Sequence, residues 1–145
     1  MNMRDVFFER GRQNAMALRA SAAAMTGTEI IDREQDAPQF DCLKDYSAFP
    51  AGSPVRDGGQ VWLLLQPHNA SHYSGRPESL RALWGLAHTT NPEKAKAWVE
   101  PFGTSGIYMK GECYRDAAGI VYRCLADNTA HAADVYAQGW EKVKG

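Results

Sequence analysis

The sequence contains an internal repeat, and this repeat constrains the fold more than any other feature. Residues 61–84 read VWLLLQPHNASHYSGRPESLRALW, and residues 121–140 read VYRCLADNTAHAADVYAQGW. Each stretch begins as an apolar and aromatic strand, has a leucine at the same offset, passes through a polar loop and closes on a tryptophan. Ahead of them, residues 108–111 align with residues 49–52. A chain of 145 residues can form one ordinary domain or two very small ones, and the repeat favours two modules in tandem.

Composition and charge limit the classes of function. The chain has 44% hydrophobic and 23% charged residues and a formal net charge of −1. We expect no nucleic-acid partner, because a nucleic-acid-binding surface normally needs a surplus of Lys and Arg. The longest apolar run covers only residues 61–65, whereas a membrane-spanning helix needs about 20 apolar residues. We therefore expect a globular protein with no membrane partner.

The N-terminal residues and the cysteines predict where the chain folds. Asp5 and Glu9 interrupt the apolar residues near the N-terminus, so the continuous apolar core of a secretory signal is missing. Cys42, Cys113 and Cys124 form no CxxC pair and no even set, which favours reduced thiols. We expect folding in a cytoplasm and, for a role outside the cell, release by another route such as lysis.

A hairpin is predicted in each module. In the first, the Asp-Gly-Gly at residues 57–59 lies between two extended runs, which is a hairpin signal. Along the second strand, the odd-numbered side chains of residues 61–65 are expected on one face and the even-numbered ones on the other. Both faces are apolar, so the strand is predicted to be covered on both sides. In module two Arg123 replaces Leu63, so we expect Leu63 either to be covered by the N-terminal segment or to form a contact surface.

One N-terminal helix is predicted over residues 3–25, which lack proline and are rich in good helix formers. Gly27 is the expected helix stop. Apolar and small residues recur along the helix at steps of three and four: Phe8, Gly11, Ala15, Leu18, Ala22 and Met25. A helix of about six turns with so narrow a seam is marginally stable alone. It is expected either to associate with copies of itself or a larger assembly, or to pack on its own domain.

The predicted fold class is mainly β with an N-terminal α-helix, and it consists of two small twisted antiparallel β modules in tandem. The predicted segments are the N-terminal helix at 1–27, a linker at 28–39, module one at 40–86, a second linker at 87–97 and module two at 98–145. The first linker is expected to contain one short strand around Ile30. The second is expected to contain one helical turn, because Thr90 and Asn91 precede Pro92.

The order of residues in the repeat resembles the small chitin-binding modules appended to bacterial chitinases. In module one, LQPH at 65–68 is followed by a loop and by ALW at 82–84, and in module two VYRCL at 121–125 and GWEKV at 139–143 carry corresponding positions. The resemblance covers roughly residues 40–143 as two tandem copies. With its helical leader ending in TGTEII, the whole arrangement is also similar to accessory virion proteins encoded near phage tail genes.

The resemblance implies small twisted antiparallel sheets, no catalytic machinery, no cofactor and binding through an aromatic side chain on the loop before the closing tryptophan. Such a ring can stack on the C–H face of a sugar while nearby polar groups bond to the sugar hydroxyls. In module one Tyr73 is nearest to that position, and the alternative is a loop tyrosine that packs back on the module. In module two His131 takes the position, although an imidazole stacks less well on sugars.

The remaining candidate carbohydrate-binding residues are His68, Asn69 and His72, which lie beside Tyr73 in the sequence. For His68, and for Asn128 in module two, a turn-fixing role is favoured, because a side-chain acceptor there can bond to nearby backbone N–H groups. No metal site is predicted, since the histidines lack a helical HxxxH context. No enzyme is predicted either, because the carboxylates are scattered and the modules are too small to enclose a sugar between two of them.

Two functional hypotheses follow. The first is a non-catalytic carbohydrate-binding accessory virion protein, in a phage tail, fibre or decoration, that attaches to a host cell-surface or chitin-like polysaccharide by aromatic stacking. The second is a purely structural virion protein whose modules mediate protein–protein contacts. Both hypotheses place the protein in the virion, beside other virion proteins. Both also predict a homo-oligomer through the N-terminal helix, and a trimer is expected by analogy with phage fibres.

Overall fold

The computed structural model of the protein describes the backbone of residues 3–144 and the side chains of residues 9–143. Two α-helices come first, α1 (Met3–Ser21) and α2 (Gly27–Asp32). Seven strands follow within the described residues: β1 (Pro54–Asp57), β2 (Gln60–Leu64), β3 (Trp84–Leu86), β4 (Lys96–Ala97), β5 (Cys113–Arg115), β6 (Val121–Cys124) and β7 (Trp140–Lys144). The predicted fold class, mainly β with an N-terminal helix, is confirmed.

The strands form two sheets, and each sheet contains one copy of the repeat. Module one has the three-stranded sheet β1-β2-β3, and the four-stranded sheet β4-β5-β6-β7 joins module two to β4 of the second predicted linker. Only β4 and β5 pair in parallel, and the other neighbouring strands are antiparallel. Trp84 lies opposite Leu64, and Trp140 lies opposite Cys124. In both modules the closing tryptophan therefore pairs with the strand that begins its copy of the repeat.

The first hairpin has the predicted two-residue turn. Gly58 and Gly59 have φ angles of 60° and 77°, and Asp57 and Gln60 pair directly across the turn. Two positive φ angles are those of a type I′ turn, whose twist matches that of the flanking strands. Glycine adopts these angles without a steric clash, which explains why the Asp-Gly-Gly signal was a reliable one.

β2 is covered on both faces, as its apolar pattern predicts. Trp62 and Leu64 pack in the core of module one. Val61 and Leu63 pack on the other face, in a cluster with Ile30 and other residues of the N-terminal segment. Of the two predicted roles for Leu63, coverage by the N-terminal segment is the one observed.

The core of each module is built on a tyrosine and its closing tryptophan. Tyr46 packs edge-on against Trp84 and Tyr108 against Trp140, and the ring centroids are 5.3 Å apart in both pairs. The sequence alignment of the two copies instead matches Phe49 with Tyr108. This match is wrong, because Tyr46 is the residue that occupies the position of Tyr108 in the structure. The reason is that module one has additional residues between the buried tyrosine and the glycine that precedes the hairpin.

The single helix predicted over residues 3–25 is interrupted, and a second helix follows it. α1 ends at Ser21, and a 3-10 turn occupies Ala22–Ala24. Gly27, the predicted helix stop, is instead the first residue of α2. The short strand predicted around Ile30 is wrong, because this residue lies within α2.

A capping box at the N-terminus of α2 explains this difference. The Thr26 hydroxyl accepts a hydrogen bond from the backbone N–H of Glu29 at 3.2 Å, and the Glu29 carboxylate accepts one from the backbone N–H of Thr26 at 3.0 Å. This reciprocal pair satisfies two N–H groups that a helix start leaves free. Ile30 and Ile31 are both buried, so the β-branched pair that suggested a strand forms the core-facing side of a short helix.

Within the described part of the predicted α1 seam, burial is complete only towards its C-terminal end. Leu18 and Ala22 are buried, Ala15 and Met25 are half-buried, Gly11 is exposed, and Phe8 lies outside the described side chains. Arg19 adds a contact, since its guanidinium lies 4.2 Å from the ring centroid of Phe49. Packing on its own domain is therefore observed for this end of α1, and self-association of the helix stays a prediction.

The two segments predicted as linkers pack against each other. Gly27 approaches the second linker so closely that a Cβ there would lie 2.3 Å from the carbonyl oxygen of His88. The hydroxyl of Thr28 accepts a hydrogen bond from the backbone N–H of Thr90 at 2.9 Å. The second linker contains the predicted helical turn, a 3-10 turn at Pro92–Lys94. The domain boundaries themselves stay predictions.

Buried polar side chains join the two modules. Arg81 of module one donates to the backbone oxygen of Glu100 at 3.0 Å. His88 Nε2 lies 2.7 Å from the backbone oxygen of Gly106, and its ring stacks on Tyr108 with the centroids 3.7 Å apart. Burial lowers the pKa of His88 to about 4. The imidazole is therefore neutral at neutral pH, and it donates to Gly106 as part of a packed junction.

Candidate functional site

The polar loop of module one, residues 65–83, connects β2 to β3 and carries the predicted binding tyrosine; we call it the Tyr73 loop. Asn69 begins a 3-10 turn at Ala70–His72, and its Oδ1 accepts hydrogen bonds from the backbone N–H and the hydroxyl of Ser71 at 3.0 Å and 2.7 Å. Tyr73 follows in an extended conformation with 45% of its surface exposed. The turn at Asn69 therefore sets the direction in which the tyrosine leaves the loop.

Tyr73 contacts the module through a buried histidine. The rings of Tyr73 and His68 meet at 90° with their centroids 5.3 Å apart, and the rings of His68 and Trp84 meet at 81° with their centroids 5.5 Å apart. His68 Nδ1 lies 2.7 Å from the backbone oxygen of Gln66, so Nδ1 carries the proton and donates to this oxygen. The histidine is held from two sides, and it supports a tyrosine that stays nearly half exposed.

The counterpart of His68 in module two is not the predicted residue. His68 itself bonds locally to the backbone, but its ring donates to the oxygen of Gln66, whereas an acceptor role towards backbone N–H groups is predicted. Its backbone oxygen accepts a hydrogen bond from the N–H of Tyr46 at 2.7 Å, and the oxygen of Thr129 accepts one from the N–H of Tyr108 at 3.1 Å. Thr129 is therefore the counterpart of His68. Asn128, the predicted counterpart, occupies a turn position with φ at 63°, in the left-handed region that asparagine tolerates better than most residues.

Four of the five predicted site residues lie together in the Tyr73 loop. Asn69 Nδ2 is 3.5 Å from His72 Nε2, and His72 is exposed. Beyond Tyr73, Arg76 forms an ion pair with the buried carboxylate of Asp57, with Nε 3.0 Å from Oδ2. The loop is thus anchored on both sides of the tyrosine, by the turn at Asn69 and by the ion pair to the first hairpin.

Module two has a groove of about 970 Å³ that the sequence interpretation missed. Four aromatic side chains line this module-two groove: Trp98, Tyr114, Tyr122 and Trp140. Tyr122 stacks on Tyr114 with 5.4 Å between centroids, and Trp98 meets Tyr114 edge-on at 5.1 Å. His131, the fifth predicted residue, is exposed in the wall of the groove. The structure places it apart from the other four.

Strand pairing assembles these rings. Tyr114 lies opposite Tyr122 in the β5–β6 hairpin, and Trp140 begins β7, the neighbour of β6. Burial raises the pKa of Tyr114, so its phenol stays protonated at neutral pH, and its oxygen accepts a hydrogen bond from the backbone N–H of Ala133 at 2.9 Å. The sequence signal for this groove is the pair of tyrosines on either side of the turn. These two residues can be recognised as neighbours only when the register of the hairpin is known.

Charged side chains of both signs surround the rings. Glu100, Arg115, Asp134 and Lys142 line the groove. Trp98 Nε1 donates a hydrogen bond to the Glu100 carboxylate at 2.7 Å. Within the described part of the chain, the side chains of Arg115, Asp134 and Lys142 make no hydrogen bond or ion pair. The groove therefore combines aromatic surface with available donors and acceptors.

The described residues contain no cluster of metal ligands, no helix that could span a membrane and no paired cysteines. No three His, Cys, Asp or Glu side chains among residues 9–143 are grouped so that they could hold a metal ion. None of the described helices has the length and apolar character needed to cross a membrane. Cys42, Cys113 and Cys124 are free thiols, and Cys113 lies opposite Arg123 in the hairpin.

Comparison with known proteins finds no family that the chain matches and no curated protein that is similar to it. The resemblance to chitin-binding modules consequently rests on the residue pattern of the repeat. Two surfaces are functional candidates on geometric grounds, the Tyr73 loop and the module-two groove.

Proposed function

We propose that the protein is a non-catalytic, carbohydrate-binding accessory protein of a virion, and that it attaches to a cell-surface or chitin-like polysaccharide through the Tyr73 loop. The observation that carries this proposal is the exposed Tyr73 ring, supported by the buried His68. Stacking on a sugar needs an accessible ring, and it is strongest when the ring is held in place before binding. Asn69 and His72, whose side chains lie 3.5 Å apart, supply polar groups in the same loop.

A single site of this kind is weak. Ring stacking contributes roughly 0.5–1.5 kcal/mol beyond the area that it buries. Repetition in an assembly raises the overall affinity, because the second and later contacts become intramolecular. The proposal therefore includes a homo-oligomer through α1, expected to be a trimer, and contacts with other virion proteins.

Replacing Tyr73 tests the proposal. The full chain is incubated with insoluble chitin, peptidoglycan or host cell walls, and the bound fraction is measured after sedimentation. We expect the wild type to be retained on at least one of them and Tyr73→Ala to bind about 2- to 12-fold more weakly, the equivalent of the stacking energy above. Circular dichroism checks that the exposed substitution leaves the fold intact.

Phe102→Ala is the matched control, because Phe102 is 63% exposed and lies outside both candidate surfaces. We expect this variant to bind like the wild type. Equal retention of the wild type and Tyr73→Ala would contradict a site at Tyr73. An equal loss in both variants would indicate general adsorption of exposed aromatic rings and would contradict it as well.

A purely structural role in the virion is the second proposal, and α1 is the observation that favours it. Met16 is 49% exposed, and among the α1 side chains that the structure describes, residues 9–21, Leu18 is the buried one. Much of the described helix surface is thus available to other virion proteins or to copies of this chain. Absence of retention on all three polysaccharide materials would favour this role.

A further inference from the structure

We infer that the module-two groove is a second carbohydrate site, which binds a short segment of a neutral polysaccharide independently of the Tyr73 loop. This inference goes beyond the proposed function, which places binding in module one. The groove volume of about 970 Å³ lies at the upper end of the range of about 300–1,000 Å³ typical of small-molecule sites. It therefore has room for more than one sugar ring.

The base of the groove supplies aromatic surface in fixed positions. Tyr114 and Trp140 are buried, whereas Trp98 and Tyr122 are half-buried and line the open space. Trp140 Nε1 donates to the backbone oxygen of His131 at 2.8 Å, which ties the closing tryptophan to the wall of the groove. Trp98 is stacked on Tyr108 and Tyr122 on Tyr114, so both rings are held in position, and the surface that they leave exposed suits stacking against the C–H faces of sugars.

The rim favours a ligand that both donates and accepts hydrogen bonds. Arg115 and Lys142 are donors, Asp134 is an acceptor, and none of the three has a hydrogen-bond or ion-pair partner within the described residues. Each sugar hydroxyl can both donate and accept a hydrogen bond. A proline-rich peptide also fits aromatic grooves, but its proline residues offer only carbonyl acceptors and leave a free carboxylate without a partner.

The balance of charge argues for a neutral glycan. Three carboxylates line the groove, those of Glu100, Asp116 and Asp134, against the two cations Arg115 and Lys142. A site for a uronic-acid or sialylated chain would be expected to carry a surplus of cations. Recognition is therefore expected to depend on stacking and hydroxyl contacts, with little sensitivity to salt.

Nuclear magnetic resonance on the ¹⁵N-labelled full chain can test this site directly. The indole N–H of Trp98 is a local reporter, because it donates to Glu100 in the groove wall. The probes are cellotriose, maltotriose, chitotriose, an oligogalacturonate and a proline-rich decapeptide. We expect at least one neutral trisaccharide to shift the Trp98 signal in a saturable way, and to do so at lower concentration than the other two classes.

Two rim variants make the test specific. Asp134→Asn and Arg115→Gln change side chains that have no hydrogen-bond or ion-pair partner among the described residues, so the fold should be retained, and each is expected to weaken the binding about three- to tenfold. Tyr73→Ala is the matched control and is expected to leave the titration of the Trp98 signal unchanged. If both rim variants gave the same titration curve as the wild type, the groove site would be overturned.

The remaining outcomes separate this inference from the proposed function. No response of the Trp98 signal to any neutral trisaccharide overturns the groove site, while the sedimentation result for Tyr73→Ala stands or falls separately. Tighter binding of the peptide or the oligogalacturonate overturns the assignment to a neutral glycan. A Trp98 response that survives Tyr73→Ala, and is weakened by the rim variants, supports two independent sites.

Discussion

At the scale of single residues, three histidines have different roles. His68 is buried beneath Tyr73 and bonds to the backbone oxygen of Gln66, whereas His72 is exposed in the same loop. His88 is buried between the modules and stacks on Tyr108. The sequence could nominate His68 and His72 as one group, but burial separates the supporting residue from the accessible one.

Acid is expected to destabilise the protein through His88. Burial lowers its folded-state pKa to about 4, against an ordinary value of 6.5. As the pH falls, the unfolded chain binds the proton first, so the contribution of neutral His88 is complete above about pH 6.5 and lost between about pH 6.5 and 4. The free energy of unfolding should fall by up to about 3 kcal/mol across this window. Urea unfolding at several pH values measures it.

His88→Phe separates this titration from general acid sensitivity. The phenyl ring can still stack on Tyr108, but it leaves the Gly106 carbonyl without its donor, so the variant should be less stable at pH 7. Its stability should also change less between pH 6.5 and 4. The same substitution at the exposed His72 should preserve the wild-type slope. A slope that is identical in the wild type and His88→Phe would contradict the assignment.

At the scale of elements, the placement of α2 depends on its first residues. Thr26 and Glu29 close the capping box that begins the helix. Gly27 permits close contact with the backbone of the second predicted linker. The helix then presents Ile30 to the outer face of β2, next to Val61. A short helix of low intrinsic stability is thus held by its cap and its packing.

Gly27→Ala and Gly11→Ala form a matched pair that tests this packing. A Cβ on Gly27 would lie 2.3 Å from the backbone oxygen of His88, which no side-chain rotation can relieve, whereas Gly11 in α1 has nothing within 4 Å. We expect Gly27→Ala to lower the free energy of unfolding by about 1–3 kcal/mol. Gly11→Ala should be neutral or stabilise by up to about 1 kcal/mol. Equal effects in urea unfolding would show that Gly27 is not in a close contact.

At the scale of the whole molecule, the N-terminal segment and the second predicted linker are bound together beside both modules. Lys96 pairs with Glu34 at 2.5 Å, and Lys94 Nζ donates to the backbone oxygen of Asp32 at 3.2 Å. Arg81 connects module one to the chain at the start of module two. The Tyr73 loop and the module-two groove are therefore carried by modules in contact.

Deleting residues 1–14 tests the proposed role of α1 in assembly. The deletion keeps Leu18 and Ala22, which are buried against the body, so the modules should stay folded. We expect light scattering to show a lower oligomeric state than for the full chain. Met16→Glu, which places a charge on an exposed apolar position, should weaken the assembly in the full-length chain. An unchanged mass in both variants would contradict self-association through α1.

Features that depend on neighbours along the chain can be predicted from the amino-acid sequence. Gly58 and Gly59 specify their turn through their own φ angles, and the alternation along β2 specifies two buried faces. The shared order of strand, polar loop and closing tryptophan, Trp84 or Trp140, identifies the repeat. Tyr73 is nominated through the resemblance to chitin-binding modules, which implies an aromatic residue on the loop before the closing tryptophan.

Features that depend on contacts between distant residues are fixed by tertiary packing and cannot be predicted from the local sequence. Ile30 and Ile31 are compatible with a strand or with a helix. The capping box and packing against the face of β2 stabilise the helix. Thr129 replaces Asn128 as the counterpart of His68 because backbone hydrogen bonds, rather than residue type, define the equivalence. The module-two groove is lined by rings from separate parts of the sequence, and the pairing of β5, β6 and β7 brings Tyr114, Tyr122 and Trp140 together.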